Sequence, residues 1–266
     1  MTITIATWNI NSVRLRIDLI KDLLTKHAPD VLCLQEIKCE NGSFPSKAFT
    51  DLGYEHLAVN GQKGYHGVAT VSRVPFAKTQ AREFCEKGDS RHMAVTLESG
   101  IELHNFYVPA GGDEPDREVN EKFGHKLDFL TEMTEMFGKR RTKTKNKLVM
   151  VGDLNIAPRE HDVWGHKQLL KTVSHTPIEV EYMDRLQASH KWVDVMREET
   201  PEPEKLYTWW SYRAKDWKAA NKGRRLDHIW VTPALAETSG NIRILTEARG
   251  WERPSDHVPV LMDIVE

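Results

Sequence analysis

Residues 148–158, LVMVGDLNIAP, admit few conformations. The stretch begins as a short apolar run rich in β-branched side chains, and Gly152 and then Pro158 mark its end. Such a pattern predicts a buried strand that runs into a turn. A carboxylate and a carboxamide, Asp153 and Asn155, stand at the strand's mouth. Side chains alternate faces along an extended chain, so residues two apart point the same way and these two can aim at one point. A strand end is a rigid mount for reactive groups, and the loops beyond it can shape a cleft. Taken alone, the same residues also read as an ordinary turn, because Asp and Asn favour turns.

The chain around this stretch has the make-up of a water-soluble globular protein. Its 266 residues are 39% hydrophobic and 29% charged, enough to bury a sizeable core in one large domain. No apolar run is long enough to span a bilayer, so no membrane contact is expected. Residues 1–6 pass straight into a strand pattern without a basic segment and a following apolar one, so no signal peptide is expected. Cys33, Cys39 and Cys85 are scattered and odd in number, which argues against a disulfide framework or a zinc knuckle and for a reducing cytoplasm. The net charge of −2 gives no global argument for nucleic acid. Basic residues cluster locally in 139–147 (KRRTKTKNK) and 213–225 (RAKDWKAANKGRR). The first of these reads as a solvated loop.

Periodicity orders the rest. Strands are predicted at 2–8, 31–34, 54–59, 67–72, 93–98, 101–108, 149 onward, 207–212, 226–232, 242–246 and 258–264. Helices are predicted at 14–27, 45–52, 117–137 and 178–189, with Phe123, Leu127, Leu130 and Met133 on the inner face of the third. No linker, repeat or low-complexity tract divides the chain, so residues 1–266 are expected to be one domain. Many strands with a few long helices fit an α/β architecture of two packed sheets with helices on their outer faces.

Other polar residues fall at predicted strand ends: Asn9, Glu36, Tyr107, Asp227, Asp256 and His257. Each alone has an ordinary structural explanation. Together their chemistry is complementary. Carboxylate and carboxamide oxygens suit a hard cation such as Mg²⁺. An imidazole beside a carboxylate, His257 with Asp227, is oriented and readily charged. Asn9 and Asn155 can donate to phosphoryl oxygens without adding charge. That set suits phosphoryl transfer to water. Phosphate-binding loop, zincin and nucleophile-elbow motifs are absent.

The segments Trp8-Asn9-Ile10-Asn11, Leu34-Gln35-Glu36, 61–68 (GQKGYHGV), Gly152-Asp153-Leu154-Asn155, Leu226-Asp227 and Ser255-Asp256-His257 resemble the endonuclease/exonuclease/phosphatase superfamily. They come in its order and span nearly the whole chain. Met183-Asp184-Arg185-Leu186 and 207–213 (YTWWSYR) resemble its exonuclease III class of apurinic/apyrimidinic (AP) endonucleases. The resemblance implies a four-layered α/β sandwich with two mixed β-sheets. It also implies a Mg²⁺-dependent nuclease, with Mn²⁺ as a substitute, acting as a monomer on double-stranded DNA. The expected reactions are hydrolysis 5′ to an abasic site, cleaning of blocked 3′ ends and 3′→5′ exonuclease action. By matched motif, Glu36 binds the metal, whose surroundings are Asn9, Asp153, Asn155, Asp256 and His257. Asp153 positions or deprotonates water, Asn155, His257 and Tyr107 hold the phosphate, and Asp227 orients His257.

Two positions depart from the family pattern. Ala110 stands where many members carry Asn or Gln, and Arg224 stands where an apolar residue usually lines the abasic pocket. Lys63, Gly64 and Tyr65 are expected to track DNA phosphates. Trp209 and Trp210 are expected to flank a flipped-out sugar, one of them facing the core. An Arg at 224 is expected to reach a phosphate or stack on a base. Two further readings stay open here: a superfamily phosphodiesterase for RNA or another phosphoester, and an inactive DNA-binding protein. The second would ordinarily have lost one of Glu36, Asp153, Asn155, Asp227 or His257, and all are present.

Overall fold

A computed structural model describes residues 1–140 and 145–266. Its strands are β1 (Thr2–Asn9), β2 (Val31–Gln35), β3 (His56–Asn60), β4 (Val68–Ser72), β5 (Phe76–Ala81), β6 (His92–Leu97), β7 (Glu102–Tyr107), β8 (Leu148–Asp153), β9 (Val193–Asp194), β10 (Trp209–Trp210), β11 (Gly223–Arg224), β12 (Asp227–Val231), β13 (Ser239–Ile244) and β14 (Val260–Val265). The helices are α1 (Ile17–His27), α2 (Ser46–Thr50), α3 (Glu121–Gly138), α4 (His166–Leu169), α5 (Pro177–Ser189), α6 (Val195–Glu199), α7 (Trp217–Ala220) and α8 (Pro233–Ala236).

Two six-stranded sheets carry the molecule, in the orders β13-β14-β1-β2-β4-β3 and β5-β6-β7-β8-β12-β9. Both are mixed. Each has one parallel pair near its middle, β1 with β2 and β7 with β8, and antiparallel partners elsewhere. The alternation of side chains sorts each strand into two faces. Ile3, Ile5, Val31 and Cys33 point inward and meet Val95, Leu103, Val149, Val151, Ile229 and Val231 of the other sheet. Ala6, Trp8, Leu32 and Leu34 point outward and bury Ile20, Leu23 and Leu24 of α1 and Phe49 of α2. Phe106, Met150 and Trp230 do the same for Phe129, Leu130, Met133 and Phe137 of α3 and Met183 and Leu186 of α5. Helix, sheet, sheet, helix is the expected four-layered sandwich.

The main helices start where their caps dictate. The sequence predicts α3 from Arg117, but the helix begins four residues later. Asn120 has an extended backbone, and its side chain accepts from the Lys122 N–H, so it is the residue that satisfies the first free amide. At α5, Thr176 and Glu179 form a reciprocal capping box with Pro177 in the first turn.

Other differences follow from edge positions. β5 was not expected, because its sequence FAKTQA is mostly polar and exposed; it pairs with β6 alone at the sheet's edge. The 207–212 strand shrinks to β10, which pairs with β11 in a two-stranded ribbon outside both sheets and bridges His257 on its other side. The 242–246 strand lies earlier, as β13, and residues 246–250 form a 3₁₀ turn instead. Of the basic 139–147 segment, residues 141–144 lie outside the described residues, while Arg140 forms a two-pronged ion pair with Glu102. The three cysteines are free. Among the described residues no helix is long and apolar enough to cross a membrane.

Candidate active site

Six of the predicted residues come from strand ends at one rim of the sandwich, and both sheets contribute. Asn9 closes β1 and Glu36 directly follows β2; Tyr107 and Asp153 close β7 and β8; Asp227 opens β12; His257 precedes β14. The link between the sheets is Asn9. Its amide nitrogen donates to Glu36 Oε1 at 3.0 Å and to Asp153 Oδ2 at 2.9 Å, and lies 3.4 Å from His257 Nε2. The Tyr107 hydroxyl donates to the same Glu36 oxygen at 2.9 Å.

The Gly152 position makes this approach possible. Its φ is +134°, and a Cβ there would lie 2.0 Å from the Phe106 carbonyl oxygen on β7. Only glycine lets the two parallel strands pass so closely just before Asp153. Asn155 does join Asp153, but not by strand alternation. The strand has ended, and Asn155 sits at φ +55° in the left-handed region. That turn brings its backbone N–H to Asp153 Oδ1 at 2.9 Å and its amide to Asp153 Oδ2 at 3.1 Å and the Val108 carbonyl at 2.9 Å.

His257 stands between two carboxylates. Its Nδ1 is 2.8 Å from Asp227 Oδ2, and its Nε2 is 3.6 Å from Asp153 Oδ2. Burial works against a charged imidazole, but the Asp227 and Asp153 charges outweigh it and move the proton affinity of His257 upward. Asp153 also shifts upward, chiefly through burial and the nearby Asp227 charge, with His257 opposing. Asp227 is itself fixed by the Thr208 hydroxyl at 2.6 Å, and its other oxygen, Oδ1, has no hydrogen-bond donor among the described residues. Ser255 ties the His257 loop down, donating to the Asn9 carbonyl at 2.6 Å and accepting from the His257 N–H at 3.2 Å.

The donor set fits a hard cation. Glu36 and Asp153 converge on one carboxamide nitrogen, and two carboxylates so near each other need positive charge beside them. Lys38 supplies some, 2.8 Å from Glu36 Oε2. Against burial, Lys38 and Asn9 hold the Glu36 carboxyl below its usual range, so it is ionised and ready to ligate. Burial, reinforced by the Glu36 and Asp153 charges, keeps the Tyr107 hydroxyl protonated as a donor. Asp153, Asp227 and His257 also lie within 4.8 Å of one another. That trio is a poor ion site, because a charged imidazole has no lone pair to give.

Beside these groups opens a cavity of about 840 Å³, walled by Trp164, Trp209, Val173, Ser174, Arg224 and Leu226. Trp209 leans into it, and its Nε1 donates to Asp256 Oδ2 at 2.9 Å. Asp256 also accepts from Asn11 at 3.2 Å. Trp210 is the core-facing member of the pair, edge-on to Tyr207 and Trp217, with its Nε1 held by Asn221 at 3.0 Å. Arg224 lines the cavity wall. Its guanidinium lies 5.3 Å over the Trp209 ring and donates to the Val173 carbonyl at 3.2 Å and Ser174 Oγ at 2.8 Å. Both bonds come from one terminal nitrogen, Nε has no acceptor among the described residues, and burial lowers the proton affinity of the group. The neighbouring Arg225, basic in the sequence, is buried between Asp162 and Asp194 and offers DNA nothing. Lys63, Gly64 and Tyr65 are exposed on the β3–β4 loop outside the cavity, and His66 beside them approaches the Tyr107 ring to 6.1 Å. Arg91, unforeseen, backs Tyr107 from 4.9 Å over its ring.

The whole arrangement has known counterparts. The chain is 32% identical to exodeoxyribonuclease III of Haemophilus influenzae, over 96% of this chain and 97% of that one. The 3′ phosphatase NExo from Neisseria, solved with a product DNA hairpin, superposes with a TM-score of 0.91 at 31% identity, over 99% of this chain and all of that one (100%). An AP endonuclease from Archaeoglobus fulgidus gives 0.90 at 31% identity, over 98% of each chain. The model of the endonuclease/exonuclease/phosphatase family matches residues 6–257, and with the strand-end site this places the chain in that family.

Proposed function

We propose that residues 1–266 form one catalytic domain, a monomeric Mg²⁺-dependent DNA-repair nuclease. It hydrolyses the phosphodiester 5′ to an abasic site, cleans blocked 3′ ends and removes nucleotides 3′→5′. The observation that carries this is the bonding of Glu36 and Asp153 to one Asn9 amide beside the charged His257, at the mouth of an aromatic cavity. Similarity to an exodeoxyribonuclease III and to an AP endonuclease supports the choice of DNA as substrate.

Glu36, with Asn9 and Asp153 alongside, would hold Mg²⁺, which supplies positive charge against the phosphate and its transition state. Asp153 is the group to take the water's proton, since burial raises its affinity for one. The His257 imidazolium, fixed through Nδ1, presents Nε2–H to a phosphoryl oxygen. Asn155 and Tyr107 lie beside the same oxygens and become neutral donors to them on turning from their present acceptors, Asp153 and Glu36. Trp209 and Leu226 form the wall that receives an extruded sugar, which costs little to unstack at an abasic site.

The test is a duplex with one abasic analogue, incubated with protein and Mg²⁺ with and without EDTA, and the cut mapped. We expect incision immediately 5′ of the analogue leaving a 3′-hydroxyl, abolished by EDTA. Cutting that is undiminished in excess EDTA removes the metal from the mechanism, and no cutting with any divalent ion overturns the nuclease reading.

A further inference from the structure

Behind the site lies an ion pair that the chemistry above does not use. Lys126 of α3 and Glu179 of α5 are both wholly buried and bonded to each other. Burying two charges is costly and adds little to stability compared with an apolar pair of equal size. Their other partners give the arrangement a direction. Lys126 Nζ donates to the backbone carbonyls of Asn155 at 2.9 Å and Ala110 at 3.2 Å. These are the two loops that follow β8 and β7, and both line the cavity. Glu179 accepts the Ser174 N–H with both oxygens, each at 2.9 Å, and the Thr176 N–H at 3.1 Å. Ser174 in turn carries Arg224 on its hydroxyl at 2.8 Å.

One buried pair therefore grips the phosphate side of the site by Lys126 and the pocket wall by Glu179. The fit around Lys126 is tight: a Cβ on Gly111 would lie 2.9 Å from its Cδ. Asn155 depends on this support, because its left-handed backbone is held in place by contacts around it.

We propose that Lys126 and Glu179 are positioning residues for the nuclease reaction, fixing the Asn155 carboxamide and the Ser174–Arg224 wall relative to each other. The proposal rests on the role given to Asn155 above. Misplacement of such a group by about 1 Å typically costs ~10²-fold in rate. It separates from mere structural support by one prediction: restoring stability does not restore chemistry.

The experiment compares wild type, Lys126→Met, Glu179→Gln, the neutral double variant Lys126→Met/Glu179→Gln, and Asn155→Ala. Thermal midpoint, Kd for abasic duplex and single-turnover cleavage rate with Mg²⁺ are read for each. We expect the double variant to regain much of the midpoint lost by Lys126→Met, since Gln removes the buried charge left unpaired and keeps an acceptor oxygen for the Ser174 N–H. We also expect it to bind duplex within a few-fold of wild type and to cleave about 10²-fold more slowly. A double variant that cleaves within a few-fold of wild type overturns the proposal. So does a rate lost only in step with the midpoint across the series. If Asn155→Ala itself cleaves normally, the role assigned to Asn155 fails, and that result is distinct because it involves neither buried residue.

Discussion

Single residues divide into those whose type gives them away and those whose surroundings do. Asn9, Glu36, Asp153, Asp227 and His257 were legible because polar groups at the ends of apolar strands are conspicuous and their chemistry is complementary. Lys126 was legible in principle, as a cation on the inner face of α3 between Phe123 and Leu130, and was passed over because helix periodicity says which face is buried but not what a buried charge meets. Arg224 shows the converse. Its type suggests a phosphate contact, while one of its terminal nitrogens is bonded to Val173 and Ser174 of the cavity wall. Arg224→Ala is therefore expected to narrow the preference for abasic over intact duplex and to change the salt dependence of binding little. Kd measured on both duplexes across a salt series decides it, and a salt slope flatter by about one phosphate contact restores the electrostatic role. Asp153→Asn and His257→Ala act on the transition state, so each is expected to lower kcat by roughly 10²–10⁴-fold while duplex Kd holds. Either variant with near-normal kcat drops out of the mechanism.

Elements were read best where burial on one face imposes a period. The β1, β2, β8 and β12 strands and the α1 and α5 helices lie within a few residues of expectation for that reason. The β10–β11 ribbon is two residues a strand, too short to leave a period, and β5 has one partner and an exposed face. β7 and β8 pass closely at Gly152, where a methyl group would have to displace backbone. Gly152→Ala is expected to destabilise by on the order of 3 kcal/mol or more, by denaturant melt, and to lower cleavage further by moving Asp153. A variant with an unchanged melt would show that the two strands can part locally without loss.

The whole molecule carries a store of buried and half-buried neutral imidazoles. Burial, with Arg91 beside one and Arg225 beside the other, lowers His66 and His228 to about 4, and burial likewise lowers His92, His104, His125 and His175. The unfolded chain takes up these protons near the ordinary value of about 6.5 and the folded chain resists them. Their contribution is thus complete above about pH 6.5 and is lost as the pH falls towards 4. His257 runs the other way: its raised affinity contributes fully below about 6.5 and is lost as the pH rises through its folded value. Denaturant melts without metal are expected to show stability falling from pH 7 to 5, and His66→Gln to flatten that fall. A flat profile would mean that the imidazoles find their protons without unfolding.

The order β13-β14-β1 sets the strand written last in the sequence against the strand written first, and His257 arrives with it. During synthesis the metal-side groups at Asn9, Glu36 and Asp153 leave the ribosome long before the imidazole does. A nascent chain short of β14 has an open seam in its first sheet and no charged ring beside Asp153. A chain without β14 and the His257 turn before it is therefore expected not to cleave abasic duplex, which a truncation ahead of His257 tests.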